Sequence, residues 1–190
     1  MSPIPAFEIG IWNAWLFTIW LLIPFFAEPL KIIPKGREKG SDFTAEFNKM
    51  EKSALISVHI IYLLSLIYSI FVPLKLGTAW FYVGLPIYLL GLFAYAMVLV
   101  GFATTPPDKL ITTGIYRYSR NPMQLSHFPI FVGVGIATAS WIFLLISVLF
   151  VLMLLLWINA EERHCLKYYG DAYREYMDRT PRWIGIPRSG

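Results

Sequence analysis

Apolar residues come along this chain in five long blocks, separated by short polar or basic stretches. The blocks run Ile9–Phe26, Ser53–Val72, Trp80–Ala103, Met123–Ala139 and Trp141–Asn159. A helix that crosses a bilayer needs about 20 apolar residues, within a range of about 17–25. All five blocks fall in that range, the fourth at its low end. Gly133, Gly135, Ala137 and Ala139 give the fourth block a small-residue face suited to close packing. Only Ser140 separates it from the fifth, which predicts a tight helical hairpin, spanning or re-entrant. After the fifth block the pattern continues as helix over Arg163–Tyr176, with Gly170 as a C′ residue and Asp171 as the next N-cap. Leu166, Tyr169, Tyr173 and Tyr176 recur there at helical spacing, as a packing stripe or a lid. The expected fold is therefore all-α: an integral membrane bundle of five transmembrane helices with a C-terminal helical extension. No Lys or Arg precedes the first block, so it lacks the basic start of a signal peptide and is read as retained.

Composition agrees. Of 190 residues, 57% are hydrophobic, 17% aromatic and 15% charged. Soluble domains carry about 25% charged residues. The mean hydropathy is +0.58. A single domain, residues 1–190, is the natural count, with its motif-bearing core at 104–183. The net charge of +4 would suggest nucleic acid only if it formed one soluble patch. Instead, five spans place all sixteen Lys and Arg except Lys75 on one side. The positive-inside rule makes that side cytoplasmic, the C-terminus included. The expected location is the cell membrane in a prokaryote, or the endoplasmic reticulum in a eukaryote. Trp12, Trp80 and Trp141 fall at the opposite ends, as an interfacial belt would. The mixed-charge stretch from Lys35 to Asp42 reads as a solvated loop. Cys165 stands alone, and His59, His127 and His164 lack metal-ligand spacing, so no metal is expected. His127, inside a span, is either functional or a buried histidine with one polar partner.

The chemistry-bearing residues gather at the cytoplasmic ends. Pro106-Pro107 stops the third helix, and Gly114 permits a turn. Asn121-Pro122 reads as N-cap and first residue of the fourth helix. Free N–H groups and the positive end of the helix dipole would then face an anion. Arg120 is placed to pair with the same anion, or, with Arg117, to anchor the chain at the interface. Glu161-Glu162 ends the last apolar block. Adjacent helical residues point about 100° apart, so one faces the bundle and the other water or a basic partner. A carboxylate there suits an amine, ribose hydroxyls or an arginine.

Arg120-Asn121-Pro122, Glu161-Glu162, Thr113-Gly114-Ile115-Tyr116 and the run Tyr168-Tyr169-Gly170, Tyr173, Tyr176 and Arg179-Thr180-Pro181 resemble the signature of the isoprenylcysteine carboxyl methyltransferase and phospholipid methyltransferase superfamily. The likeness covers about Leu110–Trp183, and the chain looks like a small prokaryotic member. Asn121 stands where many members have His, Gln124 where Tyr is frequent, and Ser126 where Gly is usual. The resemblance implies S-adenosylmethionine as methyl donor from the cytosol and a lipophilic acceptor from the bilayer, bearing a carboxylate, amine or thiol. It implies that Arg120, Asn121 and Pro122 hold the cofactor's carboxylate. Leu110, Gly114, Tyr116, Pro122 and Leu125 would then lie near the adenosine. Glu161 and Glu162 would bind cofactor hydroxyls or its amino group, or orient Arg120. Arg120, Glu162 and Arg179 are the candidate catalytic residues, Arg179 guiding an acidic acceptor. The stretch Glu162–Gly170 also resembles the sterol-type membrane reductases, which would use NADPH; a non-catalytic transporter or scaffold is a third reading.

Overall fold

The computed structural model describes residues 8–22, 47–106 and 108–187. Residues 23–26 of the first apolar block, the loop over residues 27–46 with its basic residues, Pro107 and Arg188 lie outside the described residues. The described part is helical, with no strand. A short α1 (Trp15–Thr18) runs into a 3-10 turn, Ile19–Leu22. Then come α2 (Lys49–Ile70), α3 (Ala79–Thr104), a 3-10 turn (Gly114–Arg117), α4 (Pro122–Ala137), α5 (Trp141–Tyr169) and α6 (Asp171–Arg179). Among the described residues α2, α3 and α5 are long and apolar enough to cross a membrane. Their outer faces leave Leu63, Leu64, Leu90, Phe93, Val100, Leu145 and Val148 exposed, as lipid-facing helices do.

The ends of these helices follow local chemistry that hydropathy does not register. α2 starts four residues before its apolar block, because Asn48 and Glu51 form a capping box. The Asn48 side chain accepts from the Glu51 N–H at 2.9 Å, and the Glu51 carboxylate accepts from the Asn48 N–H at 3.0 Å. α5 has 29 residues and so rises about 44 Å. An apolar core is about 30 Å thick, so one end of α5 projects beyond it. Gly170, at φ 56°, ends α5 and is also the N-cap of α6. Asp171 is therefore the first residue of α6 rather than its cap, and pairs with Arg174 at 2.9 Å.

Within the described part of the first block, the residues before Trp15 depart from the expected helix. Residues before Trp15 run alongside the α2–α3 connection, with Ala14 N–H on the Val72 carbonyl and Leu74 N–H on the Trp12 carbonyl. Asn13, 3% exposed, also donates to the Ile70 carbonyl at 2.7 Å, serving the frayed end of α2. This polar anchor holds the segment out of helical form.

Packing is closest between α3 and α4. A Cβ on Gly84 would lie 2.3 Å from the Ala137 nitrogen, and one on Gly133 2.5 Å from the Tyr88 nitrogen. The small-residue face of α4 thus serves mainly to bring it against α3, while Gly135 meets Leu144 of α5. His127 is buried among Trp20, Tyr62, Tyr95 and Phe150, with Nδ1 2.6 Å from the Met123 carbonyl. A carbonyl only accepts, so Nδ1 carries the proton; His127 is a core histidine with one polar partner.

The bundle has two chemically different ends. At one, Lys75 N–H binds the Ala137 carbonyl and Leu74 N–H the Trp12 carbonyl, and Trp12, Trp80 and Trp141 are exposed. At the other, Arg163 pairs with Glu51 at 2.7 Å, fastening the end of α5 to the start of α2. α4 begins and α6 folds back at this second end.

Candidate active site

The first turn of α4 meets the last turns of α5 through side chains. Asn121 and Gln124 are three residues apart and so share a helix face. Asn121 Nδ2 donates to Glu162 Oε1 at 3.1 Å, and Gln124 Nε2 to Glu161 Oε2 at 2.6 Å. Both carboxylates therefore have partners, where helical geometry alone had assigned only one to the bundle. Asn121 occupies the N-cap position and Pro122 the first helical one, as expected. The Asn121 side chain, however, makes no capping bond, because it is turned to Glu162 and to the Arg182 carbonyl at 3.2 Å.

Glu162 is the hub. Its Oε1 lies 3.3 Å from Arg120 Nε and its Oε2 3.3 Å from Arg182 Nε. Side chains of Arg120 and Glu162 are only 10% and 12% exposed. Neither Nε meets the angular requirement of a hydrogen bond, although both sit at ion-pair distance. These contacts are therefore Coulombic, and Asn121 supplies the directed bond. Arg120 Nη1 donates to the Met177 carbonyl at 3.3 Å, while Arg182 reaches the Asn159 side chain and lies over the Trp183 ring. Desolvating three charges costs about as much as their attraction returns. Such a cluster fixes position more than it adds stability.

The backbone explains how Arg182 arrives there. Arg120 N–H binds the Pro181 carbonyl at 3.0 Å, and Gly185 N–H binds the Tyr118 carbonyl at 3.0 Å. Ser119 Oγ bonds the Arg182 carbonyl at 3.3 Å and accepts from Asn121 N–H at 3.0 Å. The segment after α6 is thus laced to residues 118–121. Tyr176 secures the other flank, donating to the carbonyls of Tyr116 at 2.7 Å and Ser119 at 3.3 Å. Burial pushes the phenols of Tyr173 and Tyr176 well above their ordinary range, so both remain neutral.

Arg120, Asn121, Pro122, Glu161 and Glu162 are thus brought together, with Leu125 one step away. Leu125 and Gln124 line an apolar cavity of about 250 Å³ between α4 and α5, with Phe128, Leu154, Ile158 and Trp183. Gly114, at φ 62°, opens the 3-10 turn, whose Tyr116 ring packs against Phe102; Leu110 is half-buried just before it. Arg179 stands apart, exposed and 3.9 Å from Glu175. Arg117 is exposed on the same turn as Tyr116. The expectations missed Arg182 as a member of the cluster, and Gln124 as the partner of Glu161. A second arginine three residues beyond Arg179 was the only signal for the first.

Residues 76–172, just over half of the chain, match the phospholipid methyltransferase family. The match takes in α3, α4 and α5 with Arg120, Asn121, Glu161 and Glu162, and stops before Arg182. Over 101 residues the chain is also 32% identical to methanethiol S-methyltransferase 1 of Bradyrhizobium diazoefficiens, covering 53% of this chain and 34% of that relative. The chain therefore spans only about a third of that relative's length. The family implies S-adenosylmethionine as the methyl donor. With three apolar helices long enough to cross a bilayer among its described residues and a two-carboxylate, two-arginine cluster at one end, the chain belongs to the phospholipid methyltransferase family.

Proposed function

We propose that this chain transfers a methyl group from S-adenosylmethionine to a lipophilic acceptor at the end of the bundle where α4 begins. One observation carries the reading. The carboxylates of Glu161 and Glu162 are held in fixed, different settings by α4, directly beside an apolar cavity between α4 and α5. A soluble donor and a greasy acceptor need such a boundary.

The residues suit the donor. Its amino group and sulfonium favour a carboxylate, and Glu161 is bound by one neutral amide rather than by an arginine. Its carboxylate favours the α4 N-terminus, whose first-turn amides the Asn121 side chain leaves uncapped. Arg120, already shared with Glu162 and Met177, contributes charge there. Glu162 is then a positioning residue, holding Arg120 and Arg182, which is one of the roles expected for it. S-adenosylmethionine supplies a methyl carbon activated by sulfonium charge; an acceptor lone pair forms the new bond as the carbon–sulfur bond breaks, and S-adenosylhomocysteine leaves. The protein's part is alignment and exclusion of water. Arg182 and the segment laced to Tyr118 pack against the cluster, and Trp183 walls the cavity beside it. An acceptor carboxylate is ionised at neutral pH and needs no base, whereas an amine or thiol must first lose a proton, a task for Glu161.

Placement in the membrane follows the same reading. Five segments would cross or enter the bilayer of the cell membrane, α4 and α5 forming the hairpin, as one domain with its C-terminus cytoplasmic. The short α4, about 24 Å long, would rely on α3 for its depth. The clustering of Lys52, Lys109, Arg163 and Arg182 at the site's end, opposite Lys75, supports this orientation.

The test is transfer of labelled methyl from S-adenosylmethionine by the purified chain in nanodiscs. Acceptors would include methanethiol, phosphatidylethanolamine and a prenylated cysteine. Label should pass to at least one of them, and Leu125→Trp, which fills the cavity, should reduce transfer to a long-chain acceptor at least tenfold. If Leu125→Trp leaves every acceptor's rate intact, the cavity has no part in the reaction.

A further inference from the structure

A second cavity, of about 440 Å³, opens beside α6 and is lined by Thr112, Arg117, Glu175, Tyr176, Arg179 and Thr180. Its size falls within the range of roughly 300–1,000 Å³ usual for small-ligand sites. Its charges are two guanidiniums and one carboxylate. Arg117 makes no ion pair among the described residues, and Arg179 meets Glu175 only at 3.9 Å, with both side chains more than half exposed. The Tyr176 hydroxyl is turned away to the Tyr116 and Ser119 carbonyls, so Tyr176 walls the cavity without neutralising it. The cavity therefore keeps an excess positive charge, presented by planar donors, with the threonine hydroxyls beside them.

Its place in the bundle narrows the ligand. Arg117 ends the 3-10 turn that packs on the last turn of α3 through Tyr116 and Phe102. It thus sits where a membrane-crossing helix finishes. Pro187 also lines the cavity, and Ile184 and Ile186 just before it are 81% and 87% exposed. A basic cavity flanked by bare isoleucines at the end of a span matches the level of lipid headgroups, with acyl chains alongside. Guanidiniums recognise phosphate oxygens through paired N–H donors.

The geometry points to this cavity as a binding site for a phosphate-bearing anion, held by Arg117 and Arg179, with the headgroup of an anionic phospholipid as its source. The inference is separate from the proposed methyl transfer and is read out by binding alone. The purified full chain in detergent would be titrated with phosphatidylglycerol, phosphatidylcholine and inorganic phosphate, and bound species counted by native mass spectrometry. Phosphatidylglycerol should bind about tenfold more tightly than phosphatidylcholine, whose ammonium the arginines repel. Arg117→Gln/Arg179→Gln should erase that preference. Arg174→Gln, whose guanidinium pairs with Asp171 outside the cavity, should keep it. Should the double variant misfold, Arg117→Gln alone removes an exposed charge that has no ion pair among the described residues, and should lower the preference about threefold. Saturation by inorganic phosphate that depends on the two arginines, without a lipid preference, upholds the anion site with free phosphate as its source. Equal binding of the two lipids with no phosphate saturation overturns the inference, as does a preference unchanged in the arginine variants. Displacement of phosphatidylglycerol by S-adenosylhomocysteine also overturns it, by assigning the cavity to the methyl donor.

Discussion

Glu162→Gln is expected to abolish turnover and to lower stability, because it leaves two guanidiniums facing each other without their counter-charge. Arg120 is 10% exposed and cannot turn to water, whereas Arg182, 35% exposed, regains part of its hydration. Removing one member of a buried pair costs about 3–5 kcal/mol, and the exposure of Arg182 puts the expected loss near 3. The Gln amide also competes with Asn121, whose Nδ2 donates to the same oxygen. Of the two ties between the first turn of α4 and α5, that through Asn121 is then weakened and that between Gln124 and Glu161 remains. A displacement of about 1 Å at a reacting centre is enough for a hundredfold loss of rate. Thermal unfolding of the solubilised protein and initial rates of methyl transfer measure the two effects. Glu162→Asp, which keeps the charge on a shorter arm, should recover stability more than rate. Wild-type values for Glu162→Gln in both measurements would mean that the cluster is incidental.

Gly84→Leu should disrupt the bundle itself. A Cβ there falls 2.3 Å from the Ala137 nitrogen and 2.7 Å from the Gly133 carbonyl oxygen. These are backbone atoms, so relief requires the two helices to separate. Overpacking against movable side chains costs about 1–3 kcal/mol, and backbone contacts put this case at or above the top of that range. Separation also carries away the opposite end of α4, where Asn121 and Gln124 hold the carboxylates. Gly101→Ala is the comparison: its Cβ would meet Ile111 at 3.4 Å, an ordinary contact, and should cost under about 0.5 kcal/mol. Yield of monodisperse protein and the unfolding midpoint check both. Equal behaviour of the two variants would contradict the close α3–α4 contact.

Those two substitutions also mark what the sequence made legible. Hydropathy located α3 within one residue at each end, since an uninterrupted apolar run is all that its helix needs. It ended the fifth apolar block at Asn159, where lipid contact ends, and the continuation of the helix to Tyr169 was legible instead from the cap signal at Gly170. It began α2 at Ser53, missing a start built from Asn48 and Glu51. The first block is helical only from Trp15 on for a related reason: Asn13, one polar residue in a greasy run, is bound to the end of α2. At the site, Arg120, Asn121 and the paired glutamates stood out because charge at the rim of an apolar block is conspicuous. Gln124 was noted only as a departure from the usual Tyr, and its bond to Glu161 depends on how α4 faces α5. Arg182 carried little local signal beyond its place three residues after Arg179. It reaches Glu162 only because the chain after α6 folds back onto residues 118–121, an arrangement made by backbone bonds that no residue pattern announces. Gly84 was equally silent, as was Gly91, whose Cβ would lie 2.8 Å from the Ile130 nitrogen, since close helix approach is a property of the pair.

The central claim is that this end of the bundle holds the methyl donor. Equilibrium binding of labelled S-adenosylhomocysteine to the purified chain, with NADPH as the competing ligand and Glu161→Gln as the variant, tests it most directly. The expected result is saturable binding of S-adenosylhomocysteine, undisturbed by NADPH and weakened about tenfold by Glu161→Gln, as loss of one charge-assisted contact requires. Saturable binding of NADPH without any of S-adenosylhomocysteine, or an affinity for S-adenosylhomocysteine unchanged by Glu161→Gln, would contradict the account.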